Sequence, residues 1–351
     1  MTKPPRLRRH CPHTDCPSHA PGGRSRVIRH SRLRTKRGIK RRLLCRVCGR
    51  TFVHTLGTPY YRMRKPHRLF DQAAALQVEG LSLAAIARSQ GVSTGTVSRW
   101  LAKASARVRA FESEHLKVSD PVELQLDELK AYGAGRYDAT WVFNGLEVWS
   151  RLWMATEVGT RTLRNTRRFV SAVRDACRVG RVPTLVTSDE FKYYGPSLVR
   201  AFGPSVLHVE VHNRYRRDRI VRSSSRLVSG NEWRLEFALD RSEDSRRFNT
   251  AYVERLNLYI RSACSYLRRR SPAPMRKPQK LTDALDLLRG FYNFVRPHSS
   301  LKFGGVKRTP AMQAGIFPRA LTLREIFSWL PPPRPVYVRV EDWQRARRER
   351  S

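Results

Sequence analysis

Three acidic residues are placed where carboxylates could do chemistry: Asp127 in VELQLDELK, Asp189 in PTLVTSDEF and Glu254 in NTAYVERLNLYIR. The chain around them is strongly basic, with 69 Lys and Arg against 29 Asp and Glu and a formal net charge of +40 over 351 residues. That balance selects a polyanionic partner, nucleic acid before others, although a ribosome-associated protein would share it. Carboxylates at strand ends and on a helix in such a background suit divalent cations, which prefer hard oxygen ligands, held against a phosphate backbone. The chemistry implied is metal-assisted cutting and joining of DNA strands.

A second set of ligands lies near the N-terminus. Cys11 and Cys16 form one pair and Cys45 and Cys48 another, on either side of a basic stretch. Two short loops, each bringing two thiolates to one side of an ion, make a closed tetrahedral zinc site of the structural kind. Gly49 suits the tight turn after Cys48, and Thr51, Phe52 and Val53 read as the strand of a zinc ribbon. The wider first pair leaves His10, His13 and His19 as alternatives to a cysteine. Cys177 and Cys264 read as ordinary buried thiols.

Other elements must position these groups. The segment LSLAAIARSQGVSTGTVSRWLAKAS reads as a helix-turn-helix. Ser82 caps a first helix that turns Leu83, Ile86 and Ala87 inward, Gly91 makes the turn, and Ser93 caps a second helix buried on Val97, Trp100 and Leu101. The other face of that second helix offers Thr94, Thr96, Ser98, Arg99 and Lys103 to base edges and phosphates. Leu69, Ala73 and Leu76 mark a supporting helix.

Further along, alternation of Val122, Leu124 and Leu126 predicts a strand over 121–128. It ends with Asp127 and Glu128 on opposite faces, so that only one of them reaches a shared site. Residues 140–156 read as a hairpin turning at Asn144-Gly145, or as two strands broken there. A helix over 162–178, a buried strand ending at Asp189, a helix through Leu198, Val199 and Phe202 and the strand VLHVEV follow. The order suits a mixed sheet with helices on its faces, and 281–295 reads as one more amphipathic helix. Glu232, Glu236 and Glu243 compete with Glu254 as third acid. Glu254 is preferred because helical spacing puts Asn257, Leu258 and Arg261 on its face, where Asn257 and Arg261 could bind phosphate.

Taken together, the zinc head, the helix-turn-helix, QLDEL, TSDE, YVERLNLYIR and the closing FYNFVRPHSSL and RTPAMQAG resemble a DDE transposase of a bacterial insertion sequence, related to retroviral integrases. The resemblance covers roughly residues 8–317. It implies an α/β fold with a ribonuclease-H-like mixed sheet and flanking helices, preceded by a zinc ribbon and a helix-turn-helix. The expected divisions are 1–58 for the zinc ribbon, 59–115 for the helix-turn-helix, 116–318 for the catalytic domain and 319–351 for a basic, proline-rich tail. The stretch between Asp189 and Glu254 is longer than in the integrase branch, which makes 212–247 an insertion.

By the same resemblance Asp127, Asp189 and Glu254 form the catalytic triad holding two Mg2+ or Mn2+ ions, and Arg261 matches a basic residue many members carry. The implied partners are double-stranded transposon ends and target DNA, handled by a homodimer or larger synaptic complex. A regulator derived from a transposase, with an inactive nuclease body, is the alternative. No apolar run approaches the roughly 20 residues that cross a bilayer, and no secretory signal opens the chain. Bacterial or archaeal cytoplasm, with the nucleoid, is the expected location.

Overall fold

The computed structural model describes residues 11–13, 15–19, 26–35, 38–118, 121–131, 139–216, 219–240, 248–268, 275 and 277–331. His10, Glu243 and most of the 319–351 tail lie outside the described residues. The chain divides into two compact units, one built from residues up to Arg62 with those from Ser328 onward, the other from Met63–Phe327.

In the first unit, a short 3-10 turn at Pro17–His19 precedes β1 (Val27–Thr35), β2 (Gly38–Cys45) and β3 (Thr51–Val53), an antiparallel sheet in the order β1-β2-β3. Its small core is Val27, Leu43 and Phe52 with Cys11, Cys16 and Cys45. With so little apolar surface, the cysteines are as much of the interior as the hydrocarbon side chains are.

The second unit opens with α1 (His67–Val78), α2 (Leu83–Gln90) and α3 (Thr94–His115). Ser82 and Ser93 cap α2 and α3 through Ala85 N–H and Thr96 N–H, and Gly91 sits at φ 61° between them, as the sequence predicts. The buried face of α1 runs through Phe70, Ala73, Ala74, Gln77 and Val78. It is shifted one position from the expected Leu69-Ala73-Leu76 stripe, because Phe70 packs edge-on against Phe327.

A six-stranded mixed sheet follows, built from β4 (Glu123–Lys130), β5 (Trp141–Glu147), β6 (Leu152–Gly159), β7 (Leu185–Ser188), β8 (His208–Arg216) and β9 (Arg219–Ser229) in the order β6-β5-β4-β7-β8-β9. β4, β5 and β6 form an antiparallel meander; β4, β7 and β8 run parallel; β9 returns antiparallel on the edge. The helices are α4 (Leu163–Asp175), α5 (Tyr194–Phe202), α6 (Glu232–Asp240), α7 (Ala251–Ala263) and α8 (Pro278–Gly290). A π-turn at Phe291–Val295, the hairpin β10 (His298–Phe303) and β11 (Val306–Arg308), and short helices α9 (Pro310–Gln313) and α10 (Leu323–Ser328) complete it.

Two expectations change. The chain does not turn at Asn144-Gly145: β5 continues through both, with a register shift against β6 just after Gly145, and the reversal comes later, with Arg151 at φ 60°. The reason is packing. Asn144 is fully buried in side-chain hydrogen bonds, and a Cβ on Gly145 would lie 3.1–3.3 Å from Val173, Leu126 and Phe169. The single helix expected at 281–295 is instead α8 followed by the π-turn. The described part of 212–247 supplies the end of β8, all of β9 and all of α6, whose Ala238 and Leu235 cover Leu185, Leu207 and Val209.

Candidate metal centres

Leu126 of β4 lies beside Ser188 of β7, so the parallel strands bring the next residues, Asp127 and Asp189, to one edge of the sheet. The helix bearing Glu254 is fixed there by Gln125. Fully buried two residues before Asp127, Gln125 accepts the N–H groups of Tyr252 and Val253 (2.9 and 3.1 Å) and donates to the Asn249 carbonyl (3.0 Å). Thr250 makes no side-chain cap, so Gln125 satisfies amides that the first turn of α7 would otherwise leave bare. The sequence reading passed over Gln125, although alternation places it on the face of Asp127.

Asp127, Asp189 and Glu254 line one open cleft of about 710 Å³, with Arg161, Glu190, Lys192 and Thr250 also at its walls. Asp127 is held at both oxygens: Oδ1 accepts the Glu128 N–H at 2.7 Å and Oδ2 accepts Asn257 Nδ2 at 2.7 Å. Asp189 Oδ1 accepts the Phe191 N–H at 3.2 Å, and Glu254 Oε1 accepts the Thr250 hydroxyl at 2.8 Å. The tightest group is different: single oxygens of Asp127, Glu128 and Asp189 lie within 4.8 Å of one another, while Glu254 stands outside it. Asp127 and Glu128 therefore both approach Asp189, contrary to the expectation from strand alternation. Glu128 does so because an ion pair with Arg161 and the Tyr194 hydroxyl (2.7 Å) hold its longer side chain.

Burial and mutual repulsion raise the proton affinity of the carboxylates at this edge. Burial first, then the charges of Asp189 and Glu128, pushes Asp127 up to about 8. Burial and Asp189 push Glu128 up to about 7 against the opposing Tyr194 and Arg161 contacts. Burial also raises Asp189, helped by Glu210 and Glu190. Hard carboxylate oxygens gathered this closely could hold a divalent cation such as Mg2+.

The four cysteines converge as the spacing predicts. Cys11 Sγ lies 3.7 Å from Cys48 Sγ and Cys16 Sγ 3.7 Å from Cys45 Sγ, and all four sulfurs fall within 4.8 Å of one another. A tetrahedron with zinc–sulfur bonds of about 2.3 Å has edges of about 3.8 Å, so the cluster can hold a metal such as zinc. Burial pushes the Cys45 thiol up, but N–H groups of Cys48 and Val47 and the neighbouring thiols outweigh it and bring it down to about 7. His19 does not join: its ring nitrogens meet the carbonyls of Cys11 and Pro331. His13 packs edge-on to Phe52 outside the group.

The residues expected to touch DNA separate. Thr94, Arg99 and Lys103 are exposed on α3, whereas Thr96 is half-buried and bonded to Ser93. Ser98 is turned toward α8, where Lys280 donates to it, so it does not face a groove. Asn257 is not a phosphate ligand either: it is buried, accepts Asn144 Nδ2 at 2.8 Å and donates to Asp127. Arg261 is half-buried on α7, and Leu258, expected on the same face, is 68% exposed. Glu232 and Glu236 lie exposed on α6 and do not line the cleft. Among the described residues no helix is long and apolar enough to cross a membrane. Compared with known proteins, the chain matches no family model and no curated protein.

Proposed function

We propose that this chain is a metal-dependent DNA strand-cleaving and strand-transferring enzyme, a DDE-type transposase that binds the ends of a mobile element and joins them to target DNA. The observation that carries the reading is the meeting of Asp127, Asp189 and Glu254, from a central strand, the end of its parallel neighbour and a separate helix, in one cleft. The antiparallel meander continued by parallel strands supports the finer assignment to the ribonuclease-H-like class.

Two Mg2+ or Mn2+ ions bound by these carboxylates would supply Lewis-acid activation of the attacking oxygen and stabilisation of the leaving one. The protein's own share is orientation. Asn257 and the Glu128 N–H fix Asp127, Thr250 fixes one oxygen of Glu254, and Gln125 ties α7 to β4. Lys192 places positive charge at the cleft wall, where a phosphodiester would lie, while Arg161 is paired with Glu128. One structural zinc at Cys11, Cys16, Cys45 and Cys48 would hold the small unit together. There Arg32 stands directly opposite Arg41 on exposed strands, a like-charge pair that costs stability unless an anion lies across it. The exposed Thr94, Arg99 and Lys103 suit a DNA groove.

The test is strand chemistry on the element's own end sequence. Glu254→Gln keeps the shape but removes charge that a hard cation needs; it should bind end DNA as wild type does, yet neither nick nor join it with Mg2+ or Mn2+. Glu232→Gln and Glu236→Gln should leave activity intact. Normal cleavage by Glu254→Gln would remove it from the site. Indifference of every DNA reaction to Asp127, Asp189 and Glu254 would leave the regulator reading in place of the enzyme.

A further inference from the structure

The RPHSSL motif has no part in the acidic cleft, yet it lines a second cavity of about 420 Å³, within the size range of small-molecule sites. This cavity lies across α7 from the acids. Tyr252, Arg255 and Tyr259 follow helical spacing along one side of α7, while Glu254 and Asn257 occupy the other. Arg151, Arg255, Arg296 and Lys307 bring four cations, and among the described residues no acidic side chain lines the walls. Two of these cations are built into ring stacks. The Arg151 guanidinium lies 3.4 Å from the Tyr252 ring centroid, and that of Arg296 lies 4.7 Å from the Tyr259 centroid.

Two more observations set the cavity apart from an ordinary basic surface. Arg151 holds a left-handed backbone, φ 60°, at the β5–β6 reversal, a conformation that costs free energy for a non-glycine residue and here brings its side chain over Tyr252. His298 packs edge-on against the buried Tyr292 at 4.3 Å, and burial, then the Arg296 charge, holds its imidazole down to about 4. The wall therefore offers uncharged rings and guanidinium planes side by side. That pairing fits a ligand with a flat aromatic face and a phosphate, which is a nucleotide with its base out of the helical stack.

We propose that this cavity binds one unpaired nucleotide of a DNA strand, the base against the Arg151–Tyr252 and Arg296–Tyr259 stacks and the phosphate on Arg255 and Lys307. A strand seated this way is gripped on the side of α7 remote from the acids. The inference rests on the DNA-processing reading only for the choice of DNA as the strand.

The test uses the full chain without divalent metal and two probes: a blunt duplex, and the same duplex extended by a short unpaired end carrying 2-aminopurine. Wild type should favour the unpaired end by about tenfold, the scale of one base–aromatic stack, and the 2-aminopurine fluorescence should change on binding. Tyr259→Leu should reduce that preference, and Arg296→Gln, at an exposed position, should weaken binding of the unpaired end more than binding of the blunt duplex. Equal loss on both probes, an unchanged fluorescence, or displacement of the oligonucleotide by an acidic peptide but not by thymidine monophosphate would overturn the proposal. Cleavage measured separately with Mg2+ keeps the two readings apart. An unpaired-end preference without cleavage leaves the cavity standing and sinks the enzyme; cleavage without the preference does the reverse.

Discussion

Asn257 is the joint between the hydrogen-bonded interior and the candidate metal site, and its loss has a calculable cost. The Thr156 hydroxyl donates to Asn144 Oδ1 at 2.8 Å, Asn144 Nδ2 to Asn257 Oδ1 at 2.8 Å, and Asn257 Nδ2 to Asp127 Oδ2 at 2.7 Å. Asn144 is 0% exposed and Asn257 7%, so water is not at hand to replace either partner. Asn257→Ala strands the Asn144 amide and removes the donor to Asp127. At about 1–3 kcal/mol for each of the two buried groups left unsatisfied, the chain should lose about 2–6 kcal/mol, falling toward about 1 if a water enters the space. Urea unfolding followed by tryptophan fluorescence reads this as a lowered midpoint with an unchanged slope. Once Asn144 is also Ala, its amide is no longer there to be stranded, so the Asn144→Ala/Asn257→Ala cycle should show coupling of about 1–2 kcal/mol. With Mn2+ bound, Asp127 is ionised and the Asn257 contact becomes charge-assisted, so Asn257→Ala should also weaken Mn2+ binding. A cost under about 0.5 kcal/mol together with an additive cycle would refute the relay.

Three further outcomes are expected. Because Asp127 is pushed up to about 8 when no metal is bound, the folded chain keeps a proton that the unfolded chain, with its ordinary carboxyl, has released. Metal-free stability should therefore fall as pH rises between about 5 and 8, by up to about 1.4 kcal/mol per pH unit from this group; Asp127→Asn or saturating Mg2+ should flatten that dependence, and an identical slope in all three would refute it. Purified protein should carry about one zinc by elemental analysis, and Cys45→Ser/Cys48→Ser should lose it and the fold of residues 11–62; full zinc content in that variant would overturn the ligand set. Gly145→Ala should destabilise by about 1–3 kcal/mol, since its Cβ meets Val173, Leu126 and Phe169 at 3.1–3.3 Å, and a neutral result would mean that strand β5 can shift.

What the sequence made legible was whatever depends on neighbouring residues. Capping serines at 82 and 93, the glycine at 91 and the paired cysteines act through local geometry, and the structure has them as read. Asn144-Gly145 misled because the same dipeptide that makes a tight turn also serves a buried strand, the glycine for close packing and the amide for hydrogen bonds; nothing local distinguishes the two. Asn257 and Ser98 were assigned to DNA from helical spacing, which fixes the side of a helix and not what lies against it. Their partners, Asp127 and Lys280, are distant in sequence. Gln125 was within reach, sharing the face of Asp127, but its task depends on the bare amides of α7, visible only once the helix is docked. The alternation argument that separated Asp127 from Glu128 failed because it follows Cβ directions and ignores a longer side chain held by Arg161 and Tyr194.

The central claim is that Asp127, Asp189 and Glu254 hold divalent metal for phosphoryl transfer. Its most direct test is a crystal of the full chain grown with Mn2+ and a DNA end, with the ions located by their anomalous scattering. The account predicts two peaks about 3.5–4 Å apart, each within bonding distance of carboxylate oxygens from these three residues. Manganese confined to Asp127, Glu128 and Asp189 with Glu254 uncoordinated, or no manganese at this edge of the sheet, would contradict it.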